Sequence, residues 1–176
     1  ELGQLRAEVA NLQVALSWRN QTEDLVAPVE EAPPATVEDA VLTAMDRFSD
    51  TLVFGEDVSR GIHTLAPDAG PPDKILRYLS AVSEMAQVRR KGPLGTSEIR
   101  WFADRNVTAS GETPQVRRSS TAMQARTWGD GFGRRRSFDL HLKPTDGTSP
   151  DRCVRIYVDY DEGSGRSIIA WVGRHP

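Results

Sequence analysis

The chain has 176 residues, of which 38% are apolar and 27% charged, with a net charge of −3. This length supports one domain with a short appendage and a modest core. No run approaches the roughly 18 apolar residues needed to span a bilayer, and the single cysteine, Cys153, excludes an internal disulfide framework and a cysteine-rich zinc site. Residues 1–20 lack the basic start and apolar run of a secretory signal, which points to a cytoplasmic protein.

Charge is unevenly spread. Residues 1–60 carry twelve acids and four bases, whereas residues 87–136 carry eleven bases and four acids. The basic part either faces a polyanion or is balanced by the acidic part within one fold.

Leu2, Leu5, Val9, Leu12 and Leu16 alternate spacings of three and four, an a/d seam about two heptads long. This helical arm, residues 1–26, either pairs two copies into a homodimer or packs on its own domain. Residues 27–35 are rich in proline and read as an extended linker. The main domain is then 36–176. Thr36 has the character of an N-cap, with Asp39 three residues on, and Val37, Val41, Met45, Phe48 and Leu52 mark an amphipathic helix over 37–53. Val58, Ile62 and Leu65 suggest a short second helix. Pro71 and Pro72 open a third that runs to Arg90 or Lys91 and stops at Gly92. Residues 97–105 form one or two further helical turns around Trp101 and Phe102, and 106–136 shows only a weak pattern.

The period then changes to two. Three antiparallel strands are predicted, roughly 137–143, 153–160 and 167–174, forming a C-terminal meander with one face under the helices and the other polar. The fold class is therefore α+β, N-terminal helices followed by an antiparallel sheet. Symmetric turns near 148 and 163 place His141 opposite Arg155 and Arg155 opposite Trp171, with Tyr157 in the next row and Lys143 at the edge. On that register His175 lies roughly 13 Å beyond the Trp171 row, reaching His141 only if the chain end bends back. A cation, an imidazole, a phenol and an aromatic ring on one face suit RNA. No metal-ligand spacing is present, and neither a metal nor a cofactor is expected.

Phe138–Lys143, Arg155–Val158 and Trp171–His175 resemble the strand patterns of the RelE/ParE superfamily of bacterial toxins. The resemblance implies a helical hairpin packed on a small antiparallel sheet. In the RelE branch it implies metal-independent cleavage of ribosome-bound messenger RNA by 2′-hydroxyl attack. It places His141 and Lys143 at the basic positions of the first strand and Arg155 at the arginine of the middle strand. Arg174 or His175 matches the basic residue of the last strand. His141 is then the acid/base candidate, Lys143, Arg155 and Arg174 hold phosphate and stabilise charge, and Tyr157, Trp171 and His175 contact substrate. The implied partners are RNA, on the ribosome in the RelE branch, and an antitoxin protein. ParE-like members act on DNA gyrase instead. A non-catalytic protein-binding module and a nucleic-acid-binding regulator using the arginines of 87–136 are the alternatives.

Overall fold

Thr36 starts a helix as its sequence suggests. Its hydroxyl accepts from the Asp39 amide at 3.0 Å, and the Asp39 carboxylate accepts from the Thr36 amide at 3.1 Å, a reciprocal capping box. In the computed structural model, which describes residues 31–176 together with Val9 and Gln13, this helix is α1, Val37–Arg47. The other heptad positions, Leu2, Leu5, Leu12 and Leu16, lie outside the described residues, as does the linker before residue 31. Residues 34–176 form one compact unit and are described by themselves.

Val37, Ala40, Val41 and Ala44 are the buried stripe of α1. The helix stops earlier than its apolar spacing predicts, because Leu52 belongs to a strand. β1 (Leu52–Phe54) pairs in parallel with β7 (Arg166–Arg174), Leu52 opposite Ser167. The Ser167 amide bonds to the Thr51 carbonyl at 2.9 Å and the Gly55 amide to the Ile169 carbonyl at 2.8 Å. These ladder bonds outweigh the weak helix propensity of Asp50 and Thr51. α2 (Val58–Ile62) follows, then α3 (Pro72–Lys91), which opens on its proline and ends at Gly92 as expected. Ile75, Tyr78, Leu79, Val82 and Met85 form its buried face. α4 (Glu98–Ala103) is capped by Ser97 and buries Trp101 and Phe102.

The weakly patterned stretch is structured. It contains β2 (Ala109–Ser110), α5 (Pro114–Arg118), α6 (Ser120–Gln124) and a hairpin of β3 (Thr127–Gly129) and β4 (Arg135–Ser137). β5 (His141–Leu142) and β6 (Val154–Asp161) precede β7. The main sheet runs β1-β7-β6-β5-β2, antiparallel except for the β1–β7 pair. The architecture is thus a mixed α/β arrangement of the α+β kind, and the terminal meander is the centre of a larger mixed sheet. The first strand of that meander is shorter than the predicted 137–143, because Arg135–Ser137 pairs with β3 instead.

Both faces of the sheet are covered, which corrects the expectation of an open polar face. The helices cover one face, where Leu142, Val154, Ile156, Val158, Ile169 and Val172 join their core. On the other, Trp128 and Phe138 pack with Tyr157, Ile168, Ala170 and Trp171. The segment from 106 to 138 supplies this second cover. The register steps from Tyr157↔Trp171 to Val158↔Ile169, leaving Ala170 as an extra residue on β7. This bulge breaks the simple alternation, so Trp171 shares a face with Ile168 while Val172 turns to the helices. Among the described residues, no helix is long and apolar enough to cross a membrane.

α2 lies directly on β7 through glycine. A Cβ at Gly61 would stand 2.6 Å from the Val172 carbonyl oxygen and 3.0 Å from the Trp171 ring. Alanine normally improves a helix interior by about 1 kcal/mol over glycine, but overpacking against fixed backbone costs about 1–3 kcal/mol. Gly61→Ala is therefore expected to lower stability, read as a reduced urea midpoint at unchanged m-value.

Candidate functional site

The sheet brings His141, Tyr157 and Trp171 into one row across β5, β6 and β7. The middle member is Tyr157, two residues from the predicted Arg155, which stands opposite Gly173. The connection between β5 and β6 is not a symmetric turn: Thr145 hydrogen-bonds back onto 152–154, which shifts the pairing. The His141 and Tyr157 rings stack with centroids 4.8 Å apart. Trp128 from β3 closes the row from outside, 4.9 Å from Tyr157 and stacked on Trp171 at 5.0 Å. Arg60 sits on the Trp171 ring at 5.5 Å, and the indole N–H donates to the Arg174 carbonyl at 2.9 Å. Trp171 is thus engaged within the protein.

Behind this row lies a buried ionic cluster built around Glu112. Its Oε1 accepts from Arg126 Nε and from the Tyr157 hydroxyl, each at 2.6 Å, and His141 Nδ1 lies 3.7 Å away. All four side chains are buried. A second carboxylate positions the first: Asp139 Oδ1 accepts the Glu112 amide at 2.9 Å, while Arg117 donates to both Asp139 oxygens at 3.0 and 2.9 Å. Gly111 permits this approach, since a Cβ there would be 2.7 Å from Arg117 Nη2. Burial favours the neutral carboxyl, yet the hydrogen bonds from Tyr157 and Arg126 prevail and hold Glu112 below the usual carboxylate range. Burial and the bond to Glu112 push the Tyr157 phenol well above its ordinary value, so it stays a donor. Burial pulls His141 down, against the opposing effects of the Asp139 carbonyl and Glu112.

After β7 the chain does bend back. The exposed His175 ring lies 6.0 Å from the His141 ring and nearly perpendicular to it. Burial lowers the His175 pKa, and the charges of Arg126 and Arg155 push the same way. His175 lines a cleft of about 710 Å³ together with Arg60, Arg135 and Arg174, and among the described residues no acidic side chain lines it. Arg60 and Arg135 are tethered to Asp57 at 2.7 and 3.3 Å. Arg174 is held through its backbone by Thr64 and Trp171, and its exposed guanidinium makes no hydrogen bond or ion pair within the described residues.

The predicted site residues therefore divide. Trp171, Arg174 and His175 line the cleft, while His141 and Tyr157 lie behind it, the His141 ring 6.0 Å from that of His175 and stacked on Tyr157. Lys143 and Arg155 do not line the cleft. Arg155 is buried, donating to the Thr145 carbonyl at 2.6 Å, the Val154 carbonyl at 2.9 Å and Asp146 at 2.6 Å. It holds the 144–153 loop. Lys143 follows β5, with its amide on the Thr108 carbonyl, and its charge bears on His141. Sequence reasoning missed Glu112, Arg126, Asp139 and Arg117. They lie in or beside the segment without clear periodicity, and no local pattern marks them as a cluster.

The clamp on the loop makes a prediction for Arg155→Ala: stability falls by about 1–3 kcal/mol, the range for lost hydrogen bonds to a charged group, measured by denaturant unfolding. Tyr157→Phe, which leaves Glu112 one bond short, is expected to cost about 1.5–3 kcal/mol in the same measurement. A functional reading rests on sequence and geometry alone, since comparisons with family models, curated proteins and solved structures return no match.

Proposed function

We propose that the cleft binds an RNA strand and cleaves it without a metal, as an endoribonuclease of the RelE-like toxin type. The observation that carries this reading is the placement of an exposed imidazole, His175, among Arg60, Arg135 and Arg174 in a cleft that no acidic side chain of the described residues lines. Arginine suits the phosphate backbone, because its planar fork meets two oxygens at once. In the proposed step, His175 takes the proton of a ribose 2′-hydroxyl, O2′ forms a bond to the adjacent phosphorus, the bond from phosphorus to the 5′-oxygen breaks, and that oxygen takes a proton from water in the open cleft, the proton on His175 then passing to solvent. The Arg174 guanidinium stabilises the charge that develops on the phosphoryl oxygens. His141 stands behind His175 as a positioning group, and Tyr157 serves the fold through Glu112. The toxin likeness belongs to the same proposal and is supported by the helices that precede the β6–β7 hairpin and by the basic residues at its end. The proposed partners are RNA, in a ribosome-bound form, and a protein antitoxin that covers the cleft.

A binding module without chemistry is the second reading. It is favoured by one observation: Trp128, Trp171 and Tyr157 are closed within the protein, so the cleft offers bases no free aromatic plate.

The test is incubation of the purified chain with RNA in the presence of a chelator, mapping the new ends. Wild type is expected to cut, leaving 2′,3′-cyclic ends. Arg174→Ala and His175→Ala are each expected to lose about a hundredfold or more in rate, the usual scale for a charge-stabilising donor and for a positioned base, with unchanged melting temperature. Salt-sensitive binding with no products would favour the binding module, and neither binding nor products would overturn both readings. With three arginines engaged, log K is expected to fall with log salt at a slope of about 2 for a single strand.

A further inference from the structure

We propose that Glu112, His141 and His175 form a binding site for a divalent transition metal ion, with zinc the best-matched. The three residues come from separate parts of the chain: the turn after β2, strand β5 and the segment after β7. Each offers one ligand atom, and these atoms lie within 4.8 Å of one another. Two imidazoles and one carboxylate select zinc and its neighbours over magnesium or calcium, which prefer all-oxygen sets.

Glu112 and His175 each keep one ligand atom clear of hydrogen bonds, whereas His141 must release one. Arg126 and Tyr157 both end on Glu112 Oε1, so Oε2 is the oxygen available to a metal. His141 Nδ1 lies 3.7 Å from Glu112 Oε1 and 3.2 Å from the Asp139 carbonyl oxygen, while its Nε2 lies 3.2 Å from Ser110 Oγ, so ligation through Nδ1 requires the tautomer with its proton on Nε2, donated to Ser110, and gives up the Asp139 contact. Metal-bound imidazoles are oriented in this way, with the second ring nitrogen held by a neighbour. His175 Nδ1 contacts the Pro176 carbonyl oxygen at 2.9 Å, which leaves Nε2 as its ligand atom. A tetrahedral zinc with bonds of about 2.0–2.2 Å sets its ligand atoms about 3.3 Å apart, so the cluster must tighten by an ångström or so. His141 and Glu112 are fixed by the core, whereas exposed His175 is the ligand that moves. The remaining coordination position faces the arginine-lined cleft, where water or an anionic group completes it. Arg126 beside Glu112 opposes a further cation, so binding is expected to be reversible by a chelator.

The proposal does not rest on the RNA reading: an ion on His175 Nε2 occupies the nitrogen that takes the 2′-hydroxyl proton in that reading, so the metal-bound cleft and metal-free cleavage exclude one another, and the test contains no RNA. The full chain, stripped with chelator, is titrated with zinc by calorimetry and with cobalt(II) by visible absorption. Wild type is expected to bind one ion per chain and to give the visible bands of a four- or five-coordinate cobalt site. His175→Ala removes an exposed side chain, and a thermal melt checks that its fold is intact. It is expected to weaken binding at least about tenfold and abolish the bands. His63→Ala, a surface histidine outside the cluster, is expected to change nothing. Absence of binding in wild type, binding left within twofold by His175→Ala, or equal loss in His63→Ala would overturn the site.

Discussion

The charge pair of Arg126 and Glu112, closed off from water at the back of the sheet, decides how the rest of the chain is arranged. Each ion loses its hydration on burial, which costs several kcal/mol unless partners replace the lost water. Glu112 receives two short hydrogen bonds, and Arg126 donates to both Glu112 and the Ala122 carbonyl. The partners come from three regions: the turn after β2, the end of α6 and strand β6. None of these regions can move without stranding a charge. The pair therefore fixes the 106–126 segment against the sheet, and Asp139 with Arg117 fixes the backbone on which Glu112 stands.

This constraint explains the two-sided sheet. Once the segment is held down, Trp128 and Phe138 have a surface to bury, and the row His141–Tyr157–Trp171 becomes interior. The bulge at Ala170 completes the arrangement by turning Trp171 toward Trp128 and Val172 toward the helices. The cleft is what remains where this second cover ends: its walls are α2, α6 and the β3–β4 hairpin, and the strand end at Arg174 and His175 forms its floor. Chemistry and packing thus share residues, and Tyr157 serves the packing side.

The helices were legible because their signals are local. Thr36 and Asp39 cap within four residues, Pro72 and Gly92 bracket α3, and the stripe of Ile75, Leu79 and Val82 recurs with the helical period. The strands were legible as strands for the same reason, through the alternation around Val154–Val158. Their register was not, because it depends on how the 144–153 loop folds onto Thr145, a matter of tertiary contact. The same shift moved Arg155 away from the row and left it clamping the loop. His175 illustrates the converse. Strand spacing alone sets it far from His141, and only the bend after β7 brings the rings together. Glu112 and Arg126 were invisible because ion pairs across fourteen residues leave no periodic trace.

Strand β7 is the last element formed in the chain, yet it lies inside the sheet, with β1 on one side and β6 on the other. During synthesis, α1, β1 and α3 emerge more than seventy residues before the strand that covers their apolar face. Until it arrives, Leu52 and Val53 are an unpaired edge and the helix core is open on one side. Closure of the long loop joining residue 52 to residue 167 completes the sheet. Such distant pairing slows folding and prolongs exposure of sticky surface. The exposed β1 edge and open helix core are therefore the surfaces through which a nascent chain meets other molecules until β7 is in place.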